Sequence, residues 1–316
     1  MQSTQPDETT TPTFPRTPVR ASVGAEGRVR PRARGGWVWF ALPSIILVVV
    51  FFLVPFLLNI PFAFSSWSGY TNDVSFVGFD NWVFLWNSGV LAPATALTLI
   101  YAVIAMLIQN SVALSLAVAL RHTGRLNSFY RSLFFLPVLI SPLAAGYIWR
   151  AIVQPDGVLN SFIGVFIPGF DFAWLGDPVW ALITVAFVDA WKWSGIATLV
   201  YIAGLNGIPA SLLEAAELDG ANAWQRFWRV SFPLLAPAFT FNVVTTLIGA
   251  LSAFDIVAST TGGGPGVATR LLNVAVQQQF GQSYFGTASS LSLTVTMLVV
   301  LIAVPLVAWL RKREVA

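Results

Sequence analysis

Apolar runs long enough to cross a bilayer recur six times along the chain, at 37–64, 92–120, 132–153, 180–204, 233–256 and 287–310. A spanning helix needs about 20 such residues, so each run predicts one transmembrane helix and the whole predicts an all-α, polytopic membrane protein. Several runs exceed the minimum, which predicts tilt or extension into the interface. Pro43, Pro55, Pro137, Pro142 and Pro305 fall inside them and predict kinks. Residues 1–36 break the pattern: they are rich in Thr, Pro, Arg and Gly and carry RVRPRAR at 28–34. That composition predicts a disordered tail. A signal peptide has an apolar stretch of about 7–15 residues, whereas the run beginning at Trp37 is far longer, so it is read as an uncleaved first span.

Positive charge orients the bundle. Of 17 Lys and Arg residues, 14 lie in four segments: the tail, the loop around Arg121, Arg125 and Arg131, the loop with Arg226 and Arg229, and Arg311, Lys312 and Arg313. The intervening loops hold only Arg150 and Arg270, beside Asp73, Asp80, Asp156, Asp171 and Asp177. By the positive-inside rule the four basic segments face the cytoplasm, and both termini are expected there. The net charge of +3 is therefore topological, and no nucleic acid is expected as a partner. The arginine-rich tail is read as a solvated topogenic segment, with contact to anionic lipid as the alternative. Composition narrows the chemistry further. Hydrophobic residues make up 56% and charged residues 10%, with a mean hydropathy of +0.73. With no cysteine and a single histidine, His122, the chain offers no disulfide, no thiol nucleophile and no metal cluster.

One stretch is polar within this apolar context: EAAELDGANAWQRFWRVSFP, residues 214–233, in the expected cytoplasmic loop at about 205–233. Pro209 suits the first turn of a helix and Gly220 its C-terminal cap, which predicts a short helix over 209–219. A second is predicted over 221–230, with Trp224, Phe227 and Trp228 spaced i, i+3, i+4. Two short helices bearing such anchors suit a partner's groove.

The order Glu214, Ala215, Ala216, then Gly220, then Val230, Phe232 and Pro233 resembles the signature of permease subunits of binding-protein-dependent ABC importers. Val230 and Phe232 stand where that family usually has Ile and Leu. AGLNGIPASLL before it and PLLAP after it are similar to the same family. TTGGGPGVATRLL, at 260–272, is similar to the carbohydrate-type subfamily and to the larger of its two permeases, as in maltose and glycerol-phosphate importers. The resemblance covers residues 37–316 and implies a type I importer fold in a bacterial or archaeal cell membrane. It implies four kinds of partner: a second homologous permease, two cytosolic ATPases that bind ATP and Mg, an extracytoplasmic solute-binding lipoprotein and a sugar. It also makes the polar loop a coupling helix seated on an ATPase, with Glu214, Ala215, Ala216, Gly220, Trp224, Phe227 and Pro233 as contact residues. No cofactor and no catalytic residue is expected in this chain. TGGGPGVATR lacks the lysine of a phosphate loop and is expected outside, so it is read as a turn-rich loop.

Ionisable groups inside spans are costly and therefore candidates for function. Asp189, Lys192 and Trp193 share a helix face. A carboxylate, an ammonium and an aromatic platform would suit a carbohydrate; an ion pair locking two helices is the alternative. The same residues match, by resemblance, the span that lines the sugar site of maltose permeases. Gly249, Ala250 and Ala253, with Ser252 nearby, stand where the maltose case is bulkier or polar, which argues against maltose itself, although small residues also serve helix packing. Ser141 and Pro142 interrupt the third run and either line a cavity with freed backbone groups or merely kink the helix. Asp255 is read as a helix cap or partner contact. Two other functions compete: an intramembrane enzyme using Asp189 or Asp255, for which the constellation is poor, and an ion-coupled carrier, which would predict an inverted internal repeat that the sequence does not display.

Overall fold

The computed structural model describes residues 36–71 and 73–312. The expected tail falls outside these residues except for Gly36, as does Arg313. By contacts the chain divides into a unit ending at Phe52 and a second from Leu53 onward. The first contains α1 (Gly36–Val48), followed by a π-helical stretch, Val49–Leu53, two residues ahead of Pro55. Side chains such as Phe40, Phe51 and Phe52 are exposed along it, as suits an apolar helix whose environment is lipid.

The second unit is helical throughout; among the described residues the only β-type pairing is an isolated bridge, Ser65 to Phe76. In chain order it comprises α2 (Val54–Ala63), α3 (Asp80–Asn87), α4 (Leu91–Leu120), α5 (Arg125–Leu139), α6 (Pro142–Ile152), α7 (Val158–Phe166), α8 (Pro178–Asn206) and α9 (Ala210–Leu218). Then come α10 (Ala223–Arg226), running through a π stretch at Phe227–Ser231 into α11 (Phe232–Leu234), and α12 (Ala236–Leu251), α13 (Asp255–Thr260), α14 (Leu272–Gly281) and α15 (Phe285–Arg311). Four stretches are long and apolar enough to cross a membrane: Trp39–Ala63, Leu91–Leu120, Pro178–Asn206 and Phe285–Arg311. Two further candidates are bent pairs, Arg125–Leu139 with Pro142–Ile152 at 102° and Ala223–Leu234 with Ala236–Leu251 at 70°. The described residues thus hold four to six candidate spans.

The run at 132–153 is more than kinked. Pro142 has no N–H, and the residue before a proline is disfavoured in the α region; Ser141 sits extended at ψ 146, and its Oγ accepts from Ala144 N at 3.2 Å to start α6 afresh. The run at 233–256 is likewise not one helix. It stops at Leu251 and restarts at Asp255. Four short helices, α3, α7, α13 and α14, lie in segments whose pattern predicted only loops or span ends.

The core forms where α4 crosses α8. On α4, Ala94, Thr98, Ala102, Ala105, Ala113 and Ala117 are buried at helical spacing, and on α8 Ala186, Ala190 and Ala197 are. Small residues let backbones approach, which is how helices gain packing energy where lipid removes the hydrophobic drive. α12 packs on α4, α8 and α15, and α13 on α6. Among the described residues no buried side-chain polar atom lacks a hydrogen-bond partner, as a membrane interior demands.

Candidate functional site

The two helix breaks open onto one cavity of about 370 Å³, bounded by α4, α8, α12, the start of α6 and the α12–α13 break. That volume lies at the lower end of the range for ligand pockets, about 300–1,000 Å³. Asp189 and Trp193 line it from α8, Pro142 from the first break, and Ser252 from the second. Asp189 is buried, and its Oδ2 accepts from the Tyr101 hydroxyl at 2.9 Å, tying α8 to α4. Trp193 is 36% exposed, so a substantial part of its ring remains available to a ligand.

Lys192 is placed differently. It is 1% exposed and does not line the cavity. Its Nζ donates to the Val138 carbonyl at 3.3 Å and lies 3.9 Å from the centroid of the Trp193 ring. Asp189 and Lys192 do not pair with each other; among the described residues the one ion pair joins Arg226 and Glu217. Ser141 is exposed and caps α6 beside the cavity without lining it.

Four polar cavity residues were not singled out for ligand by sequence: Gln109, Thr245, Thr246 and Asp255. Gln109 was legible as a polar group in the middle of an apolar run, the same criterion that selects Asp189. Its Nε2 donates to the Trp193 carbonyl at 3.4 Å. Asp255, read as a cap, is the first residue of α13 and reaches the cavity because the helix restarts there. Gly249 and Ala250 line the cavity, as does Ala253, leaving space where larger side chains would fill it. One turn or two further along α8, Tyr201 donates to Asn110 Oδ1 at 2.7 Å, and Asn242 Nδ2 donates to the Ala197 carbonyl at 3.0 Å. A buried polar layer thus joins α4, α8 and α12 between the cavity and the hairpin.

The polar stretch at 214–233 forms a helical hairpin. Pro209 stands one position before α9 as its N-cap, with ψ 130, rather than in its first turn. Gly220 has φ +80, the left-handed conformation that ends a helix at little cost only in glycine. Asn222 and Gln225 form a capping box for the second helix, which runs past residue 230 to Leu234 because the π stretch carries it through. Glu214, Ala215 and Pro233 are exposed, and Ala216 and Phe227 half-buried. Trp224 is 71% exposed and Leu218 90%. Arg226 pairs with Glu217 across the hairpin, and along its second arm Phe227 meets Trp228 edge to face and Trp228 lies tilted against Phe232.

Comparison with known proteins fits this architecture. Residues 109–313 match the family model of the binding-protein-dependent transport system inner membrane component. A probable starch degradation products transport system permease, AmyD of Thermoanaerobacterium thermosulfurigenes, is 32% identical over 293 residues, covering 89% of this chain and 96% of that one. The lactose transport system permease LacF of Rhizobium radiobacter is 33% identical over 268 residues, covering 84% and 89%. Among solved structures, a bacterial ABC transporter that imports the acidic polysaccharide alginate superposes with a TM-score of 0.75 at 21% identity, covering 87% of this chain and 96% of that one. The family is a transport component, which decides against the intramembrane enzyme, and its dependence on a binding protein decides against a self-sufficient carrier. The chain belongs to the family of inner membrane permease components of binding-protein-dependent ABC transport systems.

Proposed function

We propose that this chain is one of two related permease subunits of an ATP-driven importer for a sugar or sugar-like solute, with six spans and both termini in the cytoplasm. In this reading the pair Arg125–Leu139 and Pro142–Ile152 counts as one span and α12 supplies another, while α10 and α11 belong to the hairpin. The α9–α11 hairpin seats on a cytosolic ATPase that holds ATP and Mg, the opposite face receives a solute-binding protein, and the cavity at the two helix breaks takes the solute. The observation that carries this reading is the hairpin: a pair of short helices, with exposed Trp224 and Leu218, joined to α8 through residues 207–209 on one side and to α12 at Leu235 on the other. A helix pair gripped in a groove passes motion of the groove to the spans it joins. The relatives' names, starch degradation products and lactose, favour a carbohydrate. Asp189, Gln109 and Asp255 offer hydrogen bonds for hydroxyls, Trp193 an apolar face, and Ser252 a hydroxyl at the rim.

The test is uptake of labelled malto-oligosaccharides and lactose by cells carrying the complete system. Glu214→Lys should abolish uptake with the chain still inserted, and Asp189→Ala should weaken the solute dependence of ATP hydrolysis. Wild-type behaviour of both variants would sink the proposal.

A further inference from the structure

In a continuing helix the N–H of residue 142 would donate to the carbonyl of residue 138, and a proline at 142 cannot. The Val138 carbonyl is therefore one of the acceptors that the break leaves over, and the one whose donor the proline itself removes, inside an apolar segment where an unmet carbonyl is costly. Lys192 delivers a donor to that atom: its Nζ lies 3.3 Å from the Val138 oxygen. The approach is enforced by α8 itself. Gly195, one turn from Lys192, passes so close to α5 that a Cβ there would lie 2.6 Å from the Phe134 carbonyl and 3.2 Å from Val138 Cγ2. The same ammonium sits 3.9 Å from the centroid of the Trp193 ring, a cation–π contact strengthened by burial. Trp193 and Pro142 both line the cavity, and Lys192 does not.

We infer that Lys192 is a positioning residue that clamps the broken end of α5 to α8 and fixes the Trp193 ring in the cavity wall, rather than a group that binds solute. A lysine suits this role because its ammonium carries three donors on a long arm and can meet both a carbonyl and a ring face. A charge at this depth is costly unless partnered, so the clamp and the break explain each other: Pro142 creates the acceptor, and Lys192 is held by it. The inference rests on the reading of the cavity as the solute chamber only for its consequence in transport; the clamp itself is a statement about two helices.

The experiment is hydrogen exchange, read by mass spectrometry on peptides covering 132–145, with the full chain assembled with its partner subunits in lipid nanodiscs. Lys192→Met should accelerate exchange at the end of α5 by about tenfold or more, as local opening of the last turn becomes easier. Lys192→Arg, which keeps the donor, should exchange like the wild type. Adding Pro142→Ala to Lys192→Met should restore most of the protection, because an N–H at 142 lets the helix meet its own carbonyl; a merely space-filling lysine would show no such rescue. Unchanged exchange in Lys192→Met, or failure of Pro142→Ala to restore protection, overturns the inference. Should Lys192→Met not insert, Lys192→Leu, which likewise has no donor, replaces it and must exchange faster than Lys192→Arg; equal rates overturn the clamp. No solute enters the measurement, so its failure leaves the proposed transport function standing, and loss of that proposal leaves this result intact.

Discussion

Gly220 shows how much one backbone angle can carry. Its φ of +80 is the requirement, and space is not, because a Cβ at that position would meet nothing within 4 Å. A β-branched side chain there pays for the left-handed conformation by about 1–2 kcal/mol, whereas asparagine tolerates it. Gly220→Val should therefore loosen the turn between α9 and α10 and lower transport-linked ATP hydrolysis, while Gly220→Asn retains most of it; equal losses in both would mean that the angle is not what matters. The glycine was legible in sequence because helix ends favour it. Lys192 was legible only as an intramembrane charge. Its actual partner, the Val138 carbonyl, lies 54 positions away in sequence, and no local pattern points to it.

The helices divide into those whose pattern suffices and those whose ends are set by neighbours. α4, α8 and α15 appear within a few residues of the runs that predict them, because a run of about 20 apolar residues in lipid meets its backbone groups most readily within one helix. The runs at 132–153 and 233–256 were equally apolar, yet both are broken. Hydropathy measures how greasy a segment is and says nothing about whether its backbone ladder continues; Pro142 was the one visible sign, and the stop at Leu251 had none of comparable strength. The short helix α10 owes its start to a reciprocal pair, Asn222 accepting from Gln225 N at 2.9 Å and Gln225 Oε1 accepting from Asn222 N at 3.0 Å. Removing one half of such a box costs about 1 kcal/mol. Asn222→Ala should raise the protease sensitivity of the 219–226 segment in the assembled complex, and Asn222→Asp should leave it near wild type.

Across the full membrane unit, the packing of α4 on α8 sets alanines such as Ala102, Ala105 and Ala186 among larger buried groups such as Tyr101 and Val185. Overfilling such a contact typically costs about 1–3 kcal/mol. Ala105→Leu, at a fully buried position facing α8, should lower the thermal midpoint of the purified complex, whereas the lipid-exposed Leu107→Ala should leave it nearly unchanged. The two breaks have a joint consequence. A Cβ on Gly146 would lie 1.8 Å from Ser259 Oγ and 3.1 Å from the Ile256 carbonyl, so α6 and α13, the segments beyond the breaks, are seated backbone to backbone. Where two separate breaks could have left the cavity wall in two loose parts, this contact joins α6 and α13 into one packed piece, flanked by the bends at residues 140–141 and 252–254.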